Sequence, residues 1–238
     1  MKEFLIAEQW YWVLLVAVLS YLLGGISAAR IISGKKKGDI TKIGSGNPGT
    51  MNMARTYGVA VGAMTLFFDG LKAAIPVLVT HFIYKNYTLS GTEICASDFV
   101  RNVALLCAVL GHIFPLFNKF KGGKGIATTF GGFFAGLCCE SIWFLLIVLV
   151  CFALIVAYIL YAQWGGMGSL MGISLCCAVQ SAIFFIHYGA NFSWWLLIIQ
   201  GLVATVFVFD WVSHRSNIRR MFAGEEHRTS LRKKKKNS

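Results

Sequence analysis

The sequence predicts an all-α integral membrane protein with seven transmembrane helices, its N-terminus outside and its C-terminus cytoplasmic. Three observations carry this. Hydrophobic residues fill 57% of the 238 positions and charged residues only 13%, a balance foreign to a soluble domain of this size. Apolar runs recur at 11–32, 57–83, 99–119, 126–140, 142–161, 166–187 and 192–212, and crossing the hydrocarbon core takes about 20 such residues. Eighteen of the 22 Lys and Arg residues then fall on one side of the runs. That side is cytoplasmic by the positive-inside bias.

In chain order, the segment MKEFLIAEQW carries Lys2, Glu3 and Glu8 ahead of an apolar run that continues through Tyr21 to Ile32. The run is span-length and too long for a signal peptide, so no cleavable leader is expected. The second run holds Asp69 and Lys72 at i, i+3. Charges inside a span face the interior and pair, and the two are read either as an ion pair that fixes the bundle or as direct chemistry. The fourth run is short, about 22 Å as a helix. It must be buried in the bundle, tilted in thinned lipid, or entered from a loop at depth. Small-xxx-small pairs at Gly58/Gly62, Gly132/Gly136 and Gly168/Gly172 mark helix packing. Residues 1–222 form one membrane domain. The basic tail 223–238, with its run RTSLRKKKKNS, is expected to be disordered against anionic headgroups. The net charge of +12 thus reads as topology and lipid attraction, with no nucleic-acid partner. Seven cysteines without CxxC or Cys/His spacing read as packing residues, and no metal or cofactor is expected.

Three polar clusters lie on the cytoplasmic side. In IGSGNPGTMNMAR, residues 43–55, Asn47-Pro48 is expected to cap and open a helix. Gly44-Ser45-Gly46 then lies at its N-terminus, where backbone N–H groups can hold an anion. Asn52 and Arg55 share a face at i, i+3, so Ser45, Asn52 and Arg55 offer a hydroxyl, an amide and a guanidinium to one phosphate. In KFKGGKGIATTFGG, residues 119–132, Gly122, Gly123, Lys124 and Gly125 form a glycine-rich turn before the short helix. Such a turn can close on a phosphate. It is not a Walker A loop, because Gly125 follows Lys124 where Ser or Thr is required. In HRSNIRR, residues 214–220, His214 and Asn217 are placed to face one site, while Arg215 and Arg219 form a row suited to headgroups. Each cluster alone is also compatible with a plain cytoplasmic turn or an orientation signal. Together they offer Ser45, Arg55, Lys124, His214 and Asn217 with almost no acid among them, which favours a small anionic ligand at the membrane–cytoplasm interface.

GSGNPGTMN, KGGKGIATTFGG and HRSNIRR, flanked by YLLGGISAARI, DGLKAAIPVL and GEEH, resemble the three cytoplasmic motifs of the bacterial acyl-phosphate:glycerol-3-phosphate acyltransferases, the PlsY family. The resemblance covers nearly the whole chain. It implies a multi-pass enzyme of the bacterial inner membrane that acylates the 1-hydroxyl of sn-glycerol 3-phosphate from acyl phosphate, in the first step of phospholipid synthesis. The products are 1-acylglycerol 3-phosphate (lysophosphatidic acid) and phosphate, formed by a monomer fed by a separate acyl-phosphate-producing enzyme. Carried over by motif, the catalytic residues are His214, Lys124, Arg55 and Ser45. Phosphate and substrate binding fall to Ser45, Gly46, Asn47, Asn52, Arg55, Gly122, Gly123, Lys124, Gly125, Ser169, His214 and Asn217. The chain departs from the family at a segment that is typically Ser-Leu-Ala-Ser. Here it reads Gly166-Met167-Gly168-Ser169, and only Ser169 remains.

The chemistry implied needs no covalent intermediate, since an acyl phosphate is already activated. The protein must hold two anions together while a hydroxyl attacks a carbonyl. Either His214 or a substrate phosphate takes the proton. No His is followed five residues later by Asp, and no Gly-x-Ser-x-Gly elbow surrounds Ser45, which disfavours the other acyltransferase chemistries. A transporter of phosphorylated solutes would share the spans and the basic residues. It would also be expected to show internal repeats and midplane polar sites, and neither is visible. A non-catalytic lipid scaffold would explain the basic tail but not three glycine-framed clusters.

Overall fold

The computed structural model describes residues 2–36, 38–190 and 192–225. Ten helices account for most of them: α1 Ile6–Gly24, α2 Ala28–Lys35, α3 Thr50–Tyr57, α4 Val59–Tyr84, α5 Ala96–Ile113, α6 Ile126–Glu140, α7 Ile142–Ala162, α8 Gly165–Tyr188, α9 Trp194–Ser213 and α10 Arg215–Phe222. Six stretches of the described residues are long and apolar enough to cross a membrane, Ile6–Lys35 being counted as one. The expected run at 126–140 is present as α6, but at 15 residues it is shorter than a span. Lys37 and the end of the tail, including RTSLRKKKKNS, lie outside the described residues.

The expected first run, 11–32, starts earlier and is broken. After Gly24 the chain turns, and the Ser27 hydroxyl accepts from the Arg30 N–H at 3.3 Å to cap a separate α2. The break was invisible in composition because both halves are apolar. An expected helix from Pro48 also moves. Gly49 is the N-cap of α3, and its N–H donates to the Asn47 carbonyl at 2.9 Å, closing a turn where a first helical turn was expected. Gly58, at φ +99, separates α3 from α4. One feature is not helical: Lys2–Phe4 (β1) and Tyr87–Leu89 (β2) pair as a short parallel ladder.

α5 is the axis of the bundle. Two-thirds (67%) of its apolar window is buried, against 6% for α7. Glycines let its neighbours approach. A Cβ at Gly24 would overlap the Ala108 carbonyl, and one at Gly111 would overlap the Tyr21 carbonyl, so α1 and α5 cross backbone to backbone. α4 and α6 also cross backbone to backbone, since a Cβ at Gly131 would overlap the Gly70 backbone. Gly62, Gly132, Gly168 and Gly172 likewise face side chains that leave no room for a Cβ. Of the three ways out for the short helix, the chain takes burial: Thr128, Thr129, Phe130, Phe133 and Leu137 of α6 are all buried.

At the end of the bundle away from Lys124, Arg101 is buried against Asp98 (3.0 Å) and Glu140, and it donates to the Gly136 carbonyl at 3.4 Å. Tyr188 Oη donates to Asp98 Oδ2 at 2.6 Å. Arg101 therefore anchors the last turn of α6 to α5 and satisfies charges that the apolar surroundings would otherwise penalise. Replacing Gly131 by Ala should cost about 1–3 kcal/mol, because its Cβ meets the Gly70 backbone and not a movable side chain. Thermal unfolding in detergent reads this out, and an unshifted midpoint would contradict the close α4–α6 crossing.

Candidate active site

The site is built on the turn between α5 and α6, which every neighbouring element holds. Gly122 N–H donates to the Ile113 carbonyl and Gly123 N–H to the His112 carbonyl, both at 3.1 Å, satisfying the end of α5. Tyr21 Oη donates to the Phe114 carbonyl at 2.5 Å and Arg30 Nη2 to the Lys121 carbonyl at 2.8 Å. From the other side Ser213 Oγ donates to the Lys124 carbonyl at 2.7 Å. Within the turn Lys119 and Phe120 both adopt positive φ, 53° and 58°. This conformation is uphill by about 1–2 kcal/mol per non-glycine residue and persists because the surrounding bonds hold it. Gly125, at φ +92, then admits the chain into α6.

Gly122 and Gly123 thus have a different task from the one their composition implies. Their N–H groups are committed to carbonyls of α5, and a Cβ at either would overlap His112 or its carbonyl. They seat the turn, while Lys124 and Gly125 face the cavity. Asn52 is also diverted. Its Nδ2 donates to the Ile43 and Ile40 carbonyls at 2.9 and 3.3 Å, and its Oδ1 accepts from Ser45 N–H at 3.2 Å. It is buried beneath the first loop and fixes Ser45. Upstream, Thr41 donates from its hydroxyl (2.7 Å) and its N–H (3.0 Å) to Asp39, holding that carboxyl below the usual carboxylate range.

A cavity of about 730 Å³ joins the three clusters. Ser45, Asn47, Asn52, Arg55, Lys124, Gly125, Ser169, His214 and Asn217 line it. Gly46, Gly122 and Gly123 do not. Lys124 Nζ donates to Asn217 Oδ1, tying the second cluster to the third. His214 is buried, and its Nδ1 faces the Asp210 carbonyl at 2.8 Å. A carbonyl can only accept, so Nδ1 carries the proton of that bond. Ser169 Oγ donates back to the Gly165 carbonyl at 2.8 Å. The other half of the lining is apolar: Leu66, Ile126, Ala127, Phe130, Phe152, Ile155, Val156 and Ile159. One cavity therefore has a cationic, hydrogen-bonding end and a greasy end.

A family model described as glycerol-3-phosphate acyltransferase matches residues 14–224, a range that contains all three clusters. The chain belongs to the glycerol-3-phosphate acyltransferase family. Among similar family members, the glycerol-3-phosphate acyltransferase of Clostridioides difficile (strain 630) is 33% identical over 223 residues, covering 92% of this chain and 97% of that protein. The Aquifex aeolicus (strain VF5) protein of the same name is 31% identical, covering 90% and 98%. Crystal structures of PlsY (YgiH), an integral membrane glycerol 3-phosphate acyltransferase, in its glycerol 3-phosphate and lysophosphatidic acid forms superpose with TM-scores of 0.70 and 0.69. Both are 27% identical to this chain and cover 91% of it.

Against this family background, four residues that were not among the expected site residues belong to the site's surroundings. Asp69 and His112 line the cavity, so the site is not as poor in acid as its clusters imply. Asp69 is occupied, however: Lys72 Nζ lies 3.0 Å from Asp69 Oδ1, 2.6 Å from His112 Nδ1 and 3.0 Å from the Ile26 carbonyl. The expected ion pair is present, and it also ties the α1–α2 break to the floor of the glycine turn. Arg220 lines the cavity too. It continues the i, i+3 row of His214 and Asn217, a signal available in the sequence. Asp210 is fully buried. It accepts from Thr129 Oγ1 at 2.8 Å, and its other oxygen, packed against Gly125, has no hydrogen-bond partner among the described residues. A lone acid in the last apolar run was the available signal for it. Thr129→Val should cost about 1–3 kcal/mol, because it strips a buried carboxyl of its donor, whereas Thr129→Ser keeps the hydroxyl and should unfold near the wild-type temperature. Equal midpoints for the two variants would show that the bond contributes nothing.

Proposed function

We propose that this protein is an enzyme of the bacterial cytoplasmic (inner) membrane that transfers a fatty acyl group from acyl phosphate to the 1-hydroxyl of sn-glycerol 3-phosphate. The products are 1-acylglycerol 3-phosphate and inorganic phosphate, the first step of phospholipid synthesis. The observation that carries the proposal is the two-ended cavity. Its polar end offers Arg55, Lys124, Ser45, His214 and Asn217, and its apolar end is lined by α6 and α7. A soluble phosphorylated alcohol and an acylated phosphate need that pairing in one space. The crystallised PlsY relative in glycerol 3-phosphate and lysophosphatidic acid forms supports the same reading.

In this reading Arg55 and Lys124 neutralise the two substrate phosphates and the phosphate that leaves. Binding both substrates side by side converts a two-body reaction into a unimolecular one. The 1-hydroxyl oxygen attacks the acyl carbonyl, the carbonyl–phosphate C–O bond breaks, and the hydroxyl proton passes to a substrate phosphate. His214, fixed through Nδ1 by the Asp210 carbonyl, orients the hydroxyl from Nε2. Asp69 is an unsuitable base because Lys72 already holds it. Ser45 and Asn47 complete the phosphate seat, and Ser169 stands at the border of the apolar half. Transfer is direct, with no acyl-enzyme and no cofactor.

With the short, buried α6 counted as a seventh crossing beside the six longer stretches, an outer N-terminus and a cytoplasmic site fit the distribution of charge. Arg55, Lys124 and Arg220 line the cavity, at the same end as Arg215 and Arg219, while Lys2 pairs with Tyr87 on the side with few basic residues. In this reading the enzyme acts as a monomer and receives acyl phosphate from a separate donor-forming enzyme.

Purified protein in detergent, given palmitoyl phosphate and glycerol 3-phosphate, should release lysophosphatidic acid. Lys124→Ala should lower kcat/KM by about 10²–10³-fold, as for loss of one charge-stabilising donor. No lysophosphatidic acid from the wild type would overturn the assignment. Ser45→Ala should weaken glycerol 3-phosphate binding without ending turnover. Radiolabelled palmitoyl phosphate alone should leave no label on the protein. A covalently labelled chain, lost in Ser45→Ala, would replace direct transfer by an acyl-serine route.

A further inference from the structure

The apolar half of the cavity has a definite end. α6 and α7 run antiparallel along it, joined only by Ser141. Leading away from the polar mouth, the lining residues are Ile126, Ala127 and Phe130 on α6, and Ile159, Val156, Ile155 and Phe152 on α7. Among the described residues, neither helix contributes to the lining beyond Phe130 and Phe152. By helix rise, Phe130 lies about 6 Å along α6 from Ile126, and Phe152 about 10 Å along α7 from Ile159. Phe130 and Phe152, the last lining residue of each helix, are in ring contact, so the two linings run out together.

At that depth the rings close on one another. Phe130 and Phe152 stand edge to face with centroids 5.2 Å apart. Phe134, one turn further along α6, contacts each of them at 5.8 Å. Phe130 is buried, and its tip is braced from behind by α8, where a Cβ on Gly172 would lie 2.5 Å from Phe130 Cζ. Packed rings of this kind do not yield continuously. An extra methylene must displace a ring or take another path.

We propose that the Phe130–Phe134–Phe152 cluster is the stop that sets the length of acyl chain the enzyme prefers, with the absent side chain at Gly172 fixing how far Phe130 withdraws. The proposal rests on the acyl-transfer reading above and adds to it the determinant of donor choice. The geometry makes two changes act in opposite directions. Phe152→Ala opens the end of the cavity. Gly172→Ala pushes the Phe130 ring toward the mouth.

The test is a competition among decanoyl, lauroyl, palmitoyl and stearoyl phosphate with glycerol 3-phosphate in excess, read as ratios of kcat/KM within one preparation, so that any unfolded fraction cancels. Phe152→Ala should raise the stearoyl-to-lauroyl ratio about tenfold, the lower end of what one methylene is worth in an apolar pocket, and Gly172→Ala should lower it. Wild-type ratios in both variants would overturn the stop. Thermal stabilisation by lysophosphatidic acids of the same chain lengths reads the stop without turnover. An optimum that lengthens in Phe152→Ala supports it, and an unmoved optimum overturns it. If the wild type acylates nothing yet its optimum moves with these variants, the acyl-phosphate reaction fails while the chain-length stop stands.

Discussion

Two backbone amides, those of Gly122 and Gly123, donate to the final carbonyls of α5 at 3.1 Å. The end of a helix buried in an apolar protein leaves carbonyls that water cannot reach, and each unsatisfied one is costly. The glycine turn meets that need, and only glycine can sit where His112 and its carbonyl already fill the space. Seating the turn also decides where α6 begins, and with it the position of Lys124. The bonds from Tyr21, Arg30 and Ser213 to carbonyls of the same segment bring α1, α2 and α9 to it. Lys124, the cation proposed to hold a substrate phosphate, is thereby referenced to four helices at once.

The same demand for satisfied polar groups explains why charges cluster at both ends of the short helix. At one end Arg101 bonds Glu140 and the Gly136 carbonyl. At the other, Thr129 and Asp210 join α6 to α9. Between them glycines 131 and 132 press α6 against α4 and α5. A helix of only 15 residues is held as a buried element, pinned at its ends by directional bonds and in its middle by close backbone approach. Lys72, bonded to Asp69, His112 and the Ile26 carbonyl, extends this network to the α1–α2 break. A charged pair that could have been chemistry instead fixes the geometry on which chemistry would depend.

Much of this was legible in the sequence. Hydrophobic runs located every long helix, because hydrocarbon demands length and apolarity and leaves few alternatives. The three polar clusters converged because they lie in the polar segments on the basic side of those runs. What the sequence withheld was how individual polar groups divide their bonds. Asn52 shares a helix face with Arg55, yet its amide spans Ile40, Ile43 and Ser45, a partnership set by the fold of a loop. Gly122, Gly123 and Gly125 look equivalent in the string, but the first two serve α5 and only the third borders the cavity. Asp210 and His112 were visible as ionisable residues within apolar runs, a signal worth heeding in any membrane chain. The break after Gly24 carried its own mark, Gly24-Gly25 followed by Ser27 as an N-cap residue, which the continuing apolar run obscured.

The two ends of the cavity rest on walls of different physical character. The polar end is framed by loops and helix ends tied by hydrogen bonds over long sequence separations, from Arg30 to Lys121 and from Ser213 to Lys124. Such bonds are directional, and losing one displaces a charge relative to a reacting atom, so changes there act steeply. The apolar end is framed by α6, α7 and α8, where contacts are rings and aliphatic chains and α7 is largely exposed along its length. Dispersion and shape act there in small increments. Selection on a wall of the second kind can retune which tail fits without disturbing the head-group chemistry. The separation of the two walls along α6, with Lys124 before its first turn and Phe130 a turn further in, makes that independence possible.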